Sequence, residues 1–147
     1  MNNYIFRQTT ADDLTAVTNL FAAEQMIYVD IAEHLKRGNF IVCVKNKDII
    51  GCVGLEICES YALFRSFWVA KDFRKQGIAH DLCQHIISFA RSKQLHSLYL
   101  LTLLKTKYFE LEGFQVISRQ EAPNCIQNTL QFTSLCFPSS PCMRLIL

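Results

Sequence analysis

The sequence predicts a single mixed α/β domain spanning residues 1–147, and three observations carry that prediction. The chain has the length of one ordinary domain, and half of its residues are hydrophobic against 19% charged, enough apolar matter for one substantial core. Four β-rich runs, FIVCV, DIIGCVGLEI, YALFRSFWVA and SLYLLTL, are too short and too rich in branched or aromatic residues for buried helices. Between the last two lies a long stretch of unbroken helical periodicity. No repeat, linker or low-complexity segment interrupts the chain.

The elements follow in order. YIFRQ is a first strand, and Thr10 followed by Asp13 gives the Thr-x-x-Asp pattern that caps a helix start. Leu14, Val17, Leu20 and Phe21 then fall on one helical face. A second short helix covers Val29–Lys36, with Gly38 as its stop. FIVCV and DIIGCVGLEI are strands joined by KNKD, a polar turn of hairpin length, and YALFRSFWVA completes an antiparallel meander. From Gly77 to about Lys93, Ile78, Leu82, Ile86 and Ala90 form one ridge and Ala79, Cys83 and Ile87 the next. SLYLLTL is apolar on both faces, as a central strand must be. A short helix over 105–112 stops at Gly113, FQVIS is the next strand, Pro123 opens a helix containing Ile126, Leu130 and Phe132, and CMRLIL closes the sheet.

Composition excludes several classes. A formal charge of +2 without a basic stripe leaves no nucleic-acid footprint, and no apolar run approaches the roughly 20 residues of a membrane span. MNNYIFRQTTADDL lacks the basic-then-apolar order of a signal peptide, so a soluble cytoplasmic protein is expected. The seven cysteines are odd in number and include no CxxC pair. Cys43, Cys52, Cys58 and Cys83 lie in apolar periodic segments, where reduced thiols act as small hydrophobes. His34, His80 and His85 fall on outer helix faces and His96 just before a strand, none at zinc spacing with cysteines, and no metal is expected.

The stretch FRKQGIAHDL, where a strand gives way to the long helix, carries the chemistry. The first N–H groups of a helix have no partner within it, and with the helix dipole they make an anion site. Gly77 lets a phosphate approach the backbone, Ala79 adds only a methyl group, and Arg74 and Lys75 stand where a cation can close over the same anion. On spacing alone, a structural glycine beside surface cations explains the pattern equally well.

The order of elements, with this loop opening the long helix, resembles the GNAT acetyltransferase superfamily. RKQGIA at 74–79 matches that family's Q/R-x-x-G-x-G/A loop at its three defining positions, and YFELEGF at 108–114 resembles its later helix-plus-GF element. The resemblance implies a central, mixed but mostly antiparallel sheet flanked by helices, with acetyl-CoA as cosubstrate. It implies that Arg74, Lys75, Gln76, Gly77, Ile78 and Ala79 hold the pyrophosphate, that Phe67, Trp68 and Val69 offer backbone groups to the pantetheine arm, and that an N–H near Trp68–Val69 serves the oxyanion. GLE at 54–56, LFRS at 63–66, LYLLT at 98–102 and the tail from Ala122 to Met143 resemble the small GNAT proteins encoded with arsenic-resistance genes and the acetyltransferase domain of N-acetylglutamate synthases.

Direct acetyl transfer to an amine needs a deprotonated nucleophile and an oxyanion donor but no acyl-enzyme, so the cysteines need no catalytic role. Glu56, matching the family's GLE, is the candidate catalytic carboxylate, as base or as amine binder; a solvated hairpin charge is the alternative, and is the reading adopted for Glu59. Arg65 interrupts an otherwise apolar strand, where an unpaired charge is costly. It is read either as a clamp for a substrate carboxylate, assisted by Ser66, or as one half of a salt bridge to a neighbouring glutamate. The family's tyrosine general acid is replaced by Phe109, and Tyr108 beside it points about 100° away on a helix. The expected function is N-acetylation of a small, amino-acid-like amine in a ternary complex, with no nucleic-acid or membrane partner and a homodimer as the assembly to test. The alternatives are a non-catalytic CoA-binding sensor and a thiol-based metalloid binder using Cys136 and Cys142, with Cys125 nearby.

Overall fold

Asn46 and Lys47, with φ of 51° and 71°, make the two-residue turn expected of KNKD, because only a left-handed pair matches the twist of the strands it joins. Those strands are β2 (Phe40–Lys45) and β3 (Asp48–Cys58), antiparallel from Phe40–Gly54 to Lys45–Asp48 with a bulge between Cys43 and Val44. The computed structural model describes residues 3–26, 28–102, 106–135 and 139–147. β1 (Ile5–Gln8) pairs antiparallel with β2. β4 (Tyr61–Val69) follows β3, and β5 (Ser97–Leu101) pairs parallel with β4 through Tyr61–Ser97, Ala62–Leu98 and Leu63–Tyr99. The parallel step requires a crossover, which α3 (Ile78–Ser92) supplies. β7 (Cys142–Ile146) pairs antiparallel with both β5 and β6 (Gln115–Ile117), giving a seven-stranded sheet in the order β1-β2-β3-β4-β5-β7-β6. The mixed sheet flanked by helices is the GNAT-type architecture that the order of elements led us to expect.

The chain divides into two compact units, residues 1–55 with 66–88 and residues 56–65 with 89–147. In the first, α1 (Leu14–Ala23) and α2 (Ile31–Lys36) press Val17, Phe21, Ile31 and Leu35 onto Phe40, Val42 and Cys52. Thr10 and Asp13 form the expected capping box, although the first turn is a 3-10 turn over Ala11–Asp13 with the α-helix proper starting at Leu14. Gly51 gives α3 its seat on β3: a Cβ there would stand 2.9 Å from Leu82 Cδ1 and 3.3 Å from the Trp68 carbonyl. In the second unit, Leu63, Tyr99, Ala122, Ile126, Phe132 and Cys142 form the core. A separate aromatic trio, Phe64, Phe109 and Phe114, packs edge to face with centroids 5.6–5.9 Å apart.

Asp13 does more than cap. Arg7 donates two hydrogen bonds of 2.9 Å to its carboxylate and the Thr10 N–H one of 2.8 Å. The Arg7 hydrogen bond, ahead of the other causes, holds this carboxyl below the usual range. A depressed folded-state pKa means that the stabilisation is complete well above the unfolded value, about 3.9, and fades as pH falls through the folded one. Asp13→Asn should therefore melt below wild type at pH 7, with the gap in Tm closing below about pH 4. A gap that persists unchanged to strongly acid pH would refute this account.

Three expectations need correction. Cys58 is not a free thiol: it is joined to Cys125 in a disulfide across 67 residues of sequence, with Cα atoms 6.1 Å apart. Cys43, Cys52 and Cys83 are buried thiols outside any disulfide, as expected, and Cys142 is a fourth. Burial pushes the Cys43 and Cys142 thiols up to about 11 and Cys52 higher still. Alkylation of the native protein at pH 7.5 should leave these three unmodified, as peptide mapping would show. His34 is not on a solvated face but buried, its Nε2 3.7 Å from Asp30 Oδ2 and its ring over Phe40, because α2 packs down on β2. The helix expected after Pro123 breaks into α5 (Asn124–Gln127) and a wide π turn over Gln131–Leu135. Thr129 intervenes, its hydroxyl donating to the Ile126 carbonyl at 2.7 Å and so competing with regular helix bonding.

Candidate active site

The phosphate-loop candidate lies wholly in the first unit. β4 ends at Val69, a 3-10 turn covers Lys71–Phe73, and residues 74–77 lead into α3. Arg74, Lys75, Gln76 and Gly77 are exposed, Ile78 is buried and Ala79 half-buried. Gly77 has φ of +88°, and no atom of the described residues lies within 4 Å of where a Cβ would be, so the space over its backbone is open among them. Lys75 is also left-handed, at 64°. The first helical hydrogen bond runs from the Asp81 N–H to the Gly77 carbonyl at 3.0 Å. The N–H groups of Gly77, Ile78 and Ala79 precede it and point along the positive end of the helix dipole. Because the Ile78 side chain is spent on the core, only its backbone can serve a ligand.

The loop is braced by its own side chains. Arg74 Nε donates to the Val69 carbonyl at 2.8 Å. Gln76 Nε2 donates to the Asp72 carbonyl at 3.4 Å, and the Tyr4 hydroxyl donates to Gln76 Oε1 at 2.8 Å. Arg74 was expected to close over an anion; here part of its guanidinium is used to tie the loop to the end of β4. Trp68 is half-buried with its ring packed against the core of the first unit, and its buried indole Nε1 has no hydrogen-bond partner among the described residues. Phe67 is half-buried on the same strand. Ser66 stands out: a non-glycine at φ of 57° inside a strand, its carbonyl accepting from the Cys52 thiol at 3.0 Å. Such a conformation costs about 1–3 kcal/mol and is concentrated at functional sites. No sequence signal marks it, since serine is a usual strand-surface residue.

Of the acceptor candidates, Glu56 and Arg65 belong to the second unit and Ser66 to the first. Glu56 on β3 and Arg65 on β4 form an ion pair, Arg65 Nη1 to Glu56 Oε1 at 3.3 Å, with the arginine side chain 0% exposed and the glutamate 18%. The neighbouring-glutamate alternative thus describes the contact Arg65 makes, and the carboxylate is the half of the pair nearer to water. Glu59 is exposed in the turn at φ of 54°. Phe109 is buried between Phe64 and Phe114 and is a core residue. Tyr108, 37% exposed, directs its hydroxyl to Glu112 at 3.5 Å. Of the cysteines considered for a metalloid, Cys136 lies outside the described residues, Cys125 is in the disulfide and Cys142 is a buried strand thiol.

The sequence model of the Acetyltransferase (GNAT) family matches residues 7–108, which include the loop, strands β2, β3 and β4 before it and all of α3. The chain belongs to the GNAT family. No curated protein sequence matches this GNAT chain. Among solved structures it resembles N-acetylglutamate synthase from Neisseria gonorrhoeae, complexed with coenzyme A and N-acetyl-glutamate, at 19% identity and a TM-score of 0.80. That match takes in 98% of this chain but only 35% of the synthase, so the GNAT chain spans about a third of that relative. Rv2747 from Mycobacterium tuberculosis, in complex with CoA, is similar end to end, with 97% and 99% of the two chains covered, 21% identity and a TM-score of 0.79. The PaiA N-acetyltransferase from Thermoplasma acidophilum, in complex with coenzyme A, shares 12% identity over 99% of each chain at a TM-score of 0.71. At these identities the likeness is one of fold. Among the described residues of the GNAT chain, no helix is long and apolar enough to cross a membrane.

Proposed function

We propose that the protein, as one domain over residues 1–147, transfers the acetyl group of acetyl-CoA to the amine of a small, amino-acid-like acceptor. The observation that carries the cofactor half is Gly77: a left-handed glycine with open space above it, at the start of the long helix, in a loop of GNAT sequence. The pyrophosphate would take the N–H groups of Gly77, Ile78 and Ala79, with Lys75 and the remaining donors of Arg74 and Gln76 around it. Backbone groups of Phe67, Trp68 and Val69 would hold the pantetheine arm, and an N–H at Trp68–Val69 would meet the oxyanion.

In the acceptor half, the charge pair supports the amino-acid reading. A zwitterion carries an ammonium and a carboxylate a few ångströms apart, and Glu56 and Arg65 offer the opposite charges side by side. Glu56 binds the ammonium and takes its proton, directly or through water; Arg65, with Ser66, answers the carboxylate. The freed amine lone pair forms the N–C bond to the thioester carbonyl carbon. The attacking nitrogen gives its remaining extra proton to solvent, collapse of the tetrahedral intermediate breaks the C–S bond, and the sulfur leaves with its electron pair. Phe109, enclosed by the trio, gives no proton. With a thiol pKa near 8.5, CoA leaves as a thiolate that solvent protonates.

Mass-spectrometric detection of acetylated product, from acetyl-CoA and a panel of amino acids and amino-acid analogues, tests this directly. Product from acidic or neutral amino acids and none from the matching decarboxylated amines is the expected result. A preference for the decarboxylated amines would refute the carboxylate reading. The buried Phe109 also favours a second reading, a CoA-binding sensor without turnover. Tight acetyl-CoA binding with no product across the panel would establish that one instead.

A further inference from the structure

Tyr4 lies outside the segment that matches the GNAT family, yet its hydroxyl donates to Gln76 Oε1 at 2.8 Å, in the middle of the loop. Gln76 is flanked by the two left-handed residues Lys75 and Gly77, so its side chain is the grip on the stretch whose amides must converge on a ligand. That grip is two-handed, since Gln76 Nε2 reaches the Asp72 carbonyl at 3.4 Å on the near side of the loop. Tyr4 is itself held. Its ring meets Phe73 edge on at 6.4 Å, and the Lys45 ammonium sits 5.4 Å from the centroids of both rings. Phe73 belongs to the 3-10 turn that leads into the loop, and Lys45 ends β2. The residue just before β1, the end of β2 and the loop are thereby joined by one aromatic and cationic cluster within the first unit.

We propose that Tyr4 is a positioning residue for the cofactor: its hydroxyl, through Gln76, holds the 74–77 loop in its anion-ready conformation before CoA arrives. The inference rests on the reading of this loop as the CoA site. Two left-handed residues on either side of Gln76 cost conformational freedom that an untethered loop would recover between binding events. A tether lowers the ordering cost that binding must otherwise meet, so it acts on affinity and not on the chemical step. Lys45 adds a positive charge to the same wall, which favours an anionic ligand at the loop rather than competing with it.

The test is a double-mutant cycle on the full chain, with CoA affinity measured by calorimetry. Tyr4→Phe keeps the ring that Lys45 and Phe73 contact and removes only the hydroxyl. It should weaken CoA by about 3–10-fold, the worth of one hydrogen bond, with Tm and the kcat at saturating acetyl-CoA unchanged. Gln76→Ala should weaken CoA at least as much, and Tyr4→Phe in that background should add nothing. Wild-type affinity in Tyr4→Phe, fully additive losses, or a fall in kcat without a change in KM for acetyl-CoA would each overturn the tether while leaving the CoA site standing. A wild-type chain that binds no CoA would overturn the site and the tether together.

Discussion

Gly77→Glu is expected to abolish acetyl-CoA binding while leaving the fold in place. The position is exposed and a Cβ meets nothing within 4 Å among the described residues, so substitution disturbs no packing there. What is lost is specific to the ligand: the new side chain fills the space above the Gly77, Ile78 and Ala79 amides and brings a negative charge to an anion site. Some strain accompanies any side chain at φ of +88°, about 1–2 kcal/mol, which a domain of ordinary stability tolerates. Gly77→Ala separates the two effects. It carries the same strain without the charge and should weaken CoA by less than the glutamate does at a similar cost in Tm. Calorimetry against CoA, with circular dichroism to monitor folding, measures both. A Gly77→Glu chain that binds CoA normally would show that the loop is not the cofactor site.

The second large effect is expected at Glu56. Replacing a positioned general base costs typically 10²–10⁴-fold in rate, so Glu56→Gln should lower kcat about 100-fold or more with little change in KM for acetyl-CoA. Glutamine keeps an oxygen for Arg65 but gives up the charge. Since a hydrogen bond to a charged group contributes about 1.5–3 kcal/mol, a measurable drop in Tm should accompany the loss of rate. Arg65 should behave differently. Its side chain is fully buried against Glu56, and breaking such a pair costs about 3–5 kcal/mol, so Arg65→Met should act mainly on stability. Arg65→Lys, which keeps the charge but not the fork, should raise KM for a carboxylated acceptor while lowering Tm less than Arg65→Met does. If Glu56→Gln melts early yet turns over at the wild-type rate, the pair is only a structural salt bridge and the base lies elsewhere.

Most of the local structure was legible because local rules wrote it. The ridge Ile78, Leu82, Ile86, Ala90 is the buried face of α3, and the Thr10–Asp13 cap and the left-handed Asn46–Lys47 turn are where the sequence places them. Gly77 was readable for the same reason: a left-handed residue at a helix start is a local demand that favours glycine. Prediction failed where a partner distant in sequence decided the outcome. Cys58, read as a reduced thiol, is bound to Cys125 67 residues away, and His34, read as solvated, is buried with its ring over Phe40.

By itself the sequence determined the class of fold, the succession of elements and the loop that marks the family, because periodicity, capping and turn chemistry act over a few residues. Only the tertiary structure decided which charges meet and which groups lose water. It set the Cys58 sulfur against Cys125 across 67 residues, buried His34 between α2 and β2, and gave Arg65 the Glu56 carboxylate as its partner. The energy of a charge or a thiol depends on what surrounds it in space, and those surroundings come from residues that sequence spacing does not relate.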